Sequence, residues 1–137
     1  MARRILGGSS CSRSRESRLA LRRVSLTHVS DDFYCDEVLS GKTEVRKVRE
    51  TERVLAYHHT RPFWPVHIVV IPKVHVPSLI DLGGVDEGIL SELLEVVRDV
   101  AAEVTAEHGS ARVLTNLGEY QDSKHLHFHV NHGAPRE

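Results

Sequence analysis

The stretch KHLHFHV, residues 124–130, places His125, His127 and His129 at every second position, with Leu126 and Phe128 between them. On an extended strand, successive side chains point to opposite faces. The spacing therefore predicts a strand over 125–130. Three imidazoles share one face, while Leu126, Phe128 and Val130 share the other and pack under a helix. A solvated polar face would more naturally use Lys, Glu or Thr. Two chemistries compete for the histidine face. Histidines at i and i+2 can hold one Zn²⁺, but the outer pair lies roughly 13 Å apart on a strand, so a third ligand must come from elsewhere. Alternatively, imidazoles that titrate near neutrality supply a neutral nucleophile beside hydrogen-bond donors, which suits attack at phosphorus.

Working outward, VHIVVIP (66–72) is the strongest strand by composition, with five β-branched residues before Pro72. RVLAYHH (53–59) reads as its neighbour. TRPFWP (60–65) cannot continue a central strand, because Pro62 and Pro65 lack a backbone donor. TEVRKVRET (43–51) is a weaker strand, and ARVLTN (111–116) a further one. Over 86–108, Leu90, Leu93, Leu94, Val97, Val100, Ala101 and Val104 recur at helical steps, and Gly109 follows. DDFYCDEVLSGK (31–42) predicts a short helix stopped by Gly41, with Phe33, Val38 and Leu39 on one face. The pattern is α+β: an antiparallel sheet with one long helix and a short N-terminal helix, the helices on one face.

The chain has 137 residues and net charge −1, which fits one domain, read as residues 24–137. Residues 1–23 hold seven Arg against one Glu, leaving the rest of the chain net −7. That segment reads as a disordered Arg/Ser-rich tail. An acidic remainder argues against a nucleic-acid partner. No apolar run reaches the ~18 residues of a membrane span. Cys11 and Cys35 stand in unlike contexts and suggest no disulfide framework, hence a reducing, cytoplasmic setting.

Three blocks in order resemble the histidine triad (HIT) family, on its Hint-like nucleoside phosphoramidase and nucleotide hydrolase branch. HLHFHV (125–130) matches the His-x-His-x-His-hydrophobic signature, VLAYHHTRPFWPVHIVVIPKVHV (54–76) is similar to the upstream block, and TNLG (115–118) resembles Asn-x-Gly. The resemblance implies a HIT-like fold, a homodimer, and a purine nucleotide or related phosphate ester as ligand. It also implies hydrolysis or transfer at the α-phosphate, with no cofactor required. His127 would be the nucleophile and carry a nucleotidyl-histidine intermediate. His125, His129 and His67 would position it and the phosphate. Asn116, Gln121, Ser123, His59 and Thr60 would contact the nucleotide.

The sequence also departs from the family. His59 stands where an acidic residue commonly binds the ribose hydroxyls. Asp122 takes the place of a phosphate-binding hydroxyl, and Asn131 replaces the second hydrophobic residue after the triad. Two alternatives remain open: a non-catalytic nucleotide-binding module, and a metal-dependent enzyme using His125 and His127. A zinc variant of the family uses an early Cys-x-x-Cys. The aligned Asp32-Phe33-Tyr34-Cys35 keeps one thiol, so a structural zinc on Cys35, His75 and His125, with Asp32, is a subsidiary reading.

Overall fold

The computed structural model describes residues 32–136. The Arg-rich segment 1–23, Cys11 and the domain start assigned to residue 24 lie outside the described residues. Five strands follow one another as β1 (Lys47–Glu50), β2 (Val54–His58), β3 (Val66–Pro72), β4 (Arg112–Thr115) and β5 (Phe128–His132), with one long helix, α1 (Gly88–His108), between β3 and β4. The sheet order is β1-β2-β3-β5-β4, and every neighbouring pair is antiparallel.

β3 lies in the middle because it is apolar on both sides. Ile68 and Val70 join Val54, Ala56, Phe128 and Val130 against Leu93, Val97, Val100 and Val104 of α1. Val69 and Ile71 join Leu55 and Tyr57 on the opposite face, where Tyr34 and Val38 cover them. The alternation that defines a strand thus feeds two separate cores. α1 ends at Gly109, whose φ of +93° closes the last turn through its N–H to the Thr105 carbonyl.

Three expectations change. The short N-terminal element is a single π-helical turn, Tyr34–Val38, and it packs on the sheet face opposite α1, so the helices do not share a face. Tyr34 rather than Phe33 is its buried aromatic; Phe33 is exposed. Most consequentially, β5 begins at Phe128, so His125 and His127 precede the strand instead of lying on it. The His125 side chain takes the Pro72 carbonyl at the end of β3 and faces the Asp32 carboxylate, and Leu126 N–H pairs with the Val76 carbonyl beyond β3. Those bonds keep 125–127 out of the ladder. The other strands fall within a few residues of their expected ranges. Among the described residues no helix is long and apolar enough to cross a membrane.

Leu93 is fully buried between α1 and the sheet, whereas Leu94 is 46% exposed. Leu93→Ala is expected to cost about 3 kcal/mol in urea unfolding, and Leu94→Ala less than about 1 kcal/mol.

Candidate active site

β3 and β5 bring the histidines together. Their register pairs Val69 with His129 and His67 with Asn131, so His67 and His129 lie on the face away from α1, one step apart across the sheet. His67 Nε2 is 2.8 Å from His129 Nδ1. The partners fix the tautomers. Phe63 N–H donates to His67 Nδ1 at 3.0 Å, so a neutral His67 carries its proton on Nε2 and donates it to His129 Nδ1. His129 then keeps its own proton on Nε2.

His127 has the opposite arrangement. Its Nδ1 lies 2.7 Å from the carbonyl oxygen of His125. A carbonyl only accepts, so Nδ1 holds the proton and Nε2 presents a bare lone pair. Thr115 Oγ1 donates to the His127 carbonyl at 2.6 Å, which anchors this residue to β4. The Tyr34 ring lies 4.8 Å from the His127 ring and roofs it. His127 is 5% exposed. Burial pushes its imidazole below the usual histidine range, as does the neighbouring His125, while its bond to the His125 carbonyl and the Asp122 carboxylate pull the other way. Burial, reinforced by the other rings, depresses His67 to about 4 and His129 to about 3. All three rings are neutral at pH 7.

Behind His127, the first triad histidine, His125, is fully buried. Its Nε2 donates to the Pro72 carbonyl at 2.9 Å, and its Nδ1 faces the Asp32 carboxylate at 3.2 Å. His75 Nδ1 stands 2.5 Å from the same carboxylate. Burial alone would raise Asp32, but the contacts with His125 and His75 and the Cys35 N–H outweigh it and hold the carboxyl well below its usual range. A buried carboxylate thus fixes His125, and the His125 carbonyl fixes His127.

The expected ligand contacts are placed unevenly. His59, Thr60 and His67 line a cavity of about 540 Å³. Asn116 follows β4 directly, one residue beyond the Thr115–Phe128 pair. Gln121 donates its amide to the Pro77 carbonyl at 2.8 Å, and Ser123 Oγ accepts the Phe33 N–H at 3.1 Å. Both are buried and brace the loop before the triad. Lys124 closes that loop by donating to the carbonyls of Gly118 and Gln121. Tyr34 and the positioning role of Asp32 were not legible in the sequence. Asp32 lies 93 positions from His125, and only a packed structure joins them.

The metal readings fare poorly on donor chemistry. Asp32, Cys35, His75 and His125 bring ligand atoms within 4.8 Å of one another. The Cys35 sulfur, however, is disulfide-bonded, which corrects the expectation of reduced cysteines and leaves no thiolate for zinc. His125 and His127 do not form a chelating pair, because both His125 nitrogens face protein acceptors. His59, His67 and His129 also converge. There the His59 and His67 rings stack at 4.2 Å and 18°, so their in-plane lone pairs run parallel and do not aim at one ion.

A family model for the HIT domain matches residues 40–134. The chain belongs to the HIT family. An uncharacterized 13.2 kDa HIT-like protein of Azospirillum brasilense is 38% identical over 96 residues, 68% of this chain and 79% of the relative. A hypothetical histidine triad nucleotide-binding protein of Sulfolobus tokodaii superposes with a TM-score of 0.63 at 29% identity, covering 71% of this chain and 66% of that one. A HIT family hydrolase of Legionella pneumophila superposes at 0.62 with 25% identity, covering 72% and 89%.

The neutral rings set a pH dependence of HIT-domain stability. His129 moves from 6.5 to about 3 on folding. Between those values the unfolded chain binds more protons, so this contribution is intact above pH 6.5 and is lost as pH falls towards 3. His129→Gln is expected to flatten the dependence of unfolding free energy on pH between about 6 and 4 by about one proton. An unaltered slope would count against a buried neutral His129.

Proposed function

We propose that this HIT protein is a nucleotide-binding hydrolase or transferase that reacts at the α-phosphate through a nucleotidyl-His127 intermediate. The observation that carries this reading is the bare Nε2 of a neutral His127 roofed by Tyr34. The nucleotide-binding and hydrolase descriptions of the two superposed structures support it.

His127 Nε2 gives its lone pair to phosphorus, and the bond from phosphorus to the leaving amine or oxygen breaks. The leaving group takes a proton from solvent. The ring becomes cationic, and its Nδ1–H bond to the His125 carbonyl becomes charge-assisted, so it strengthens in the transition state. Asp32 and His125 keep that carbonyl aimed. His129 Nε2–H donates to a phosphoryl oxygen. Water then attacks phosphorus, breaks the P–N bond and releases the nucleoside monophosphate and a proton. No metal enters these steps, and EDTA is expected to leave the rate unchanged. The β4 edge, with Val113 46% exposed and no strand pairing beyond it among the described residues, supports a homodimer.

Incubation with adenosine 5′-phosphoramidate, with dinucleoside-phosphate analogues alongside, is expected to release nucleoside monophosphate. Release should vanish in His127→Ala. The mass of the nucleotidyl group should appear on His127 of the wild type during turnover. Retained nucleotide binding without release in the wild type would instead favour a binding module. Asp122, whose charge acts on His127, is the feature that favours this second reading.

Asp122 works in two directions. Its carboxylate repels an anionic substrate but favours the cationic ring. It is exposed, so each effect is small. Asp122→Asn is expected to lower KM and kcat together, each by roughly two- to fivefold. A rise in kcat would contradict the stabilising part.

A further inference from the structure

Next to the triad, the cavity wall is imidazole rather than carboxylate. His59 Nδ1 accepts the Arg61 N–H at 2.9 Å, so its single proton sits on Nε2. Burial keeps the ring below the usual histidine range, against the pull of that backbone bond. Stacking on His67 fixes its plane. Nε2 takes no hydrogen bond among the described residues, and His59 lines the cavity. What the ligand meets there is one oriented N–H.

Position gives this donor its meaning. The His59 ring is 6.1 Å from His129, and His129 is 5.0 Å from His127. In a nucleotide whose phosphorus sits at His127 Nε2, the next group along the chain is the sugar. His59 and His67, the latter bonded to His129, both line the cavity.

We infer that His59 makes this a diol-blind sugar site: a single N–H contacts one sugar oxygen, so 2′-deoxyribonucleotides and ribonucleotides are accepted alike. A carboxylate would accept from both hydroxyls of a ribose and lose one bond when the 2′-hydroxyl is removed. A lone donor needs one acceptor, and both sugars carry the 3′-oxygen. Thr60, Thr43 and Arg46 add hydroxyls and a cation to the same cavity. Glu44 is the one carboxylate in its lining, and it is exposed. This inference rests on the nucleotide reading above and specifies its substrate class.

The test compares kcat/KM for the 5′-phosphoramidates of adenosine, 2′-deoxyadenosine and 2′,3′-dideoxyadenosine. Wild type should treat the first two within about threefold and lose about fivefold or more on the third, the worth of one neutral hydrogen bond. His59→Asp should gain a ribose preference of about tenfold. His59→Asn, equally short but uncharged, should gain none, and melting temperatures would show that both variants fold. A wild type that prefers ribose tenfold, or that ignores the loss of both hydroxyls, overturns the inference and leaves the nucleotidyl-transfer reading standing. If that preference disappears in Glu44→Gln, the diol belongs to Glu44. Absence of release from all three compounds would instead overturn the nucleotidyl-transfer reading, and this inference with it.

Discussion

A hydrogen bond 2.7 Å long, from Nδ1 of His127 to the carbonyl of His125, decides which nitrogen of the central ring is available. Everything around it serves to hold that carbonyl still. His125 is buried between the Pro72 carbonyl and the Asp32 carboxylate, and Leu126 N–H is tied to the Val76 carbonyl. A regular strand would have offered the His125 carbonyl to a neighbouring strand. The delayed start of β5 frees it for a side chain, so the irregularity in the sheet is also what exposes the nucleophile.

The second organising device is the use of imidazoles as backbone acceptors. The proline-bearing loop between β2 and β3 has few conventional partners. Two of its N–H groups, on Arg61 and Phe63, bind the Nδ1 atoms of His59 and His67. Arg136 N–H reaches the Phe63 carbonyl. Gly133, at φ +101°, lets the chain leaving β5 pass so close to Pro65 that any Cβ would lie 2.8 Å from the proline ring. These bonds shape the loop and, in the same act, set two tautomers. Loop geometry and proton placement are one problem here.

Burial then supplies the electrostatics. His59, His67, His127 and His129, gathered around one site, would repel each other if charged. Desolvation keeps them neutral, to about 4 at His67 and about 3 at His129. Neutral rings can donate and accept in sequence, which cations cannot. Asp122, a carboxylate on the exposed loop before the triad, offsets part of that effect at His127.

The sequence by itself determined the local and the periodic features. Apolar, β-branched composition identified β2 and β3, three- and four-residue spacing identified α1, and the every-second-residue histidines identified the site together with its HIT family. Those signals are carried by neighbours along the chain. It misjudged the histidine stretch as a plain strand and the N-terminal helix as a companion of α1, because strand entry and face choice depend on partners 53 to 93 residues away, such as Pro72 and Asp32. The tertiary structure alone decided the tautomers, the neutral state of the rings and the roof formed by Tyr34. Each of these follows from which atoms lie within hydrogen-bond distance and how much water is excluded, and neither quantity is written in residue order.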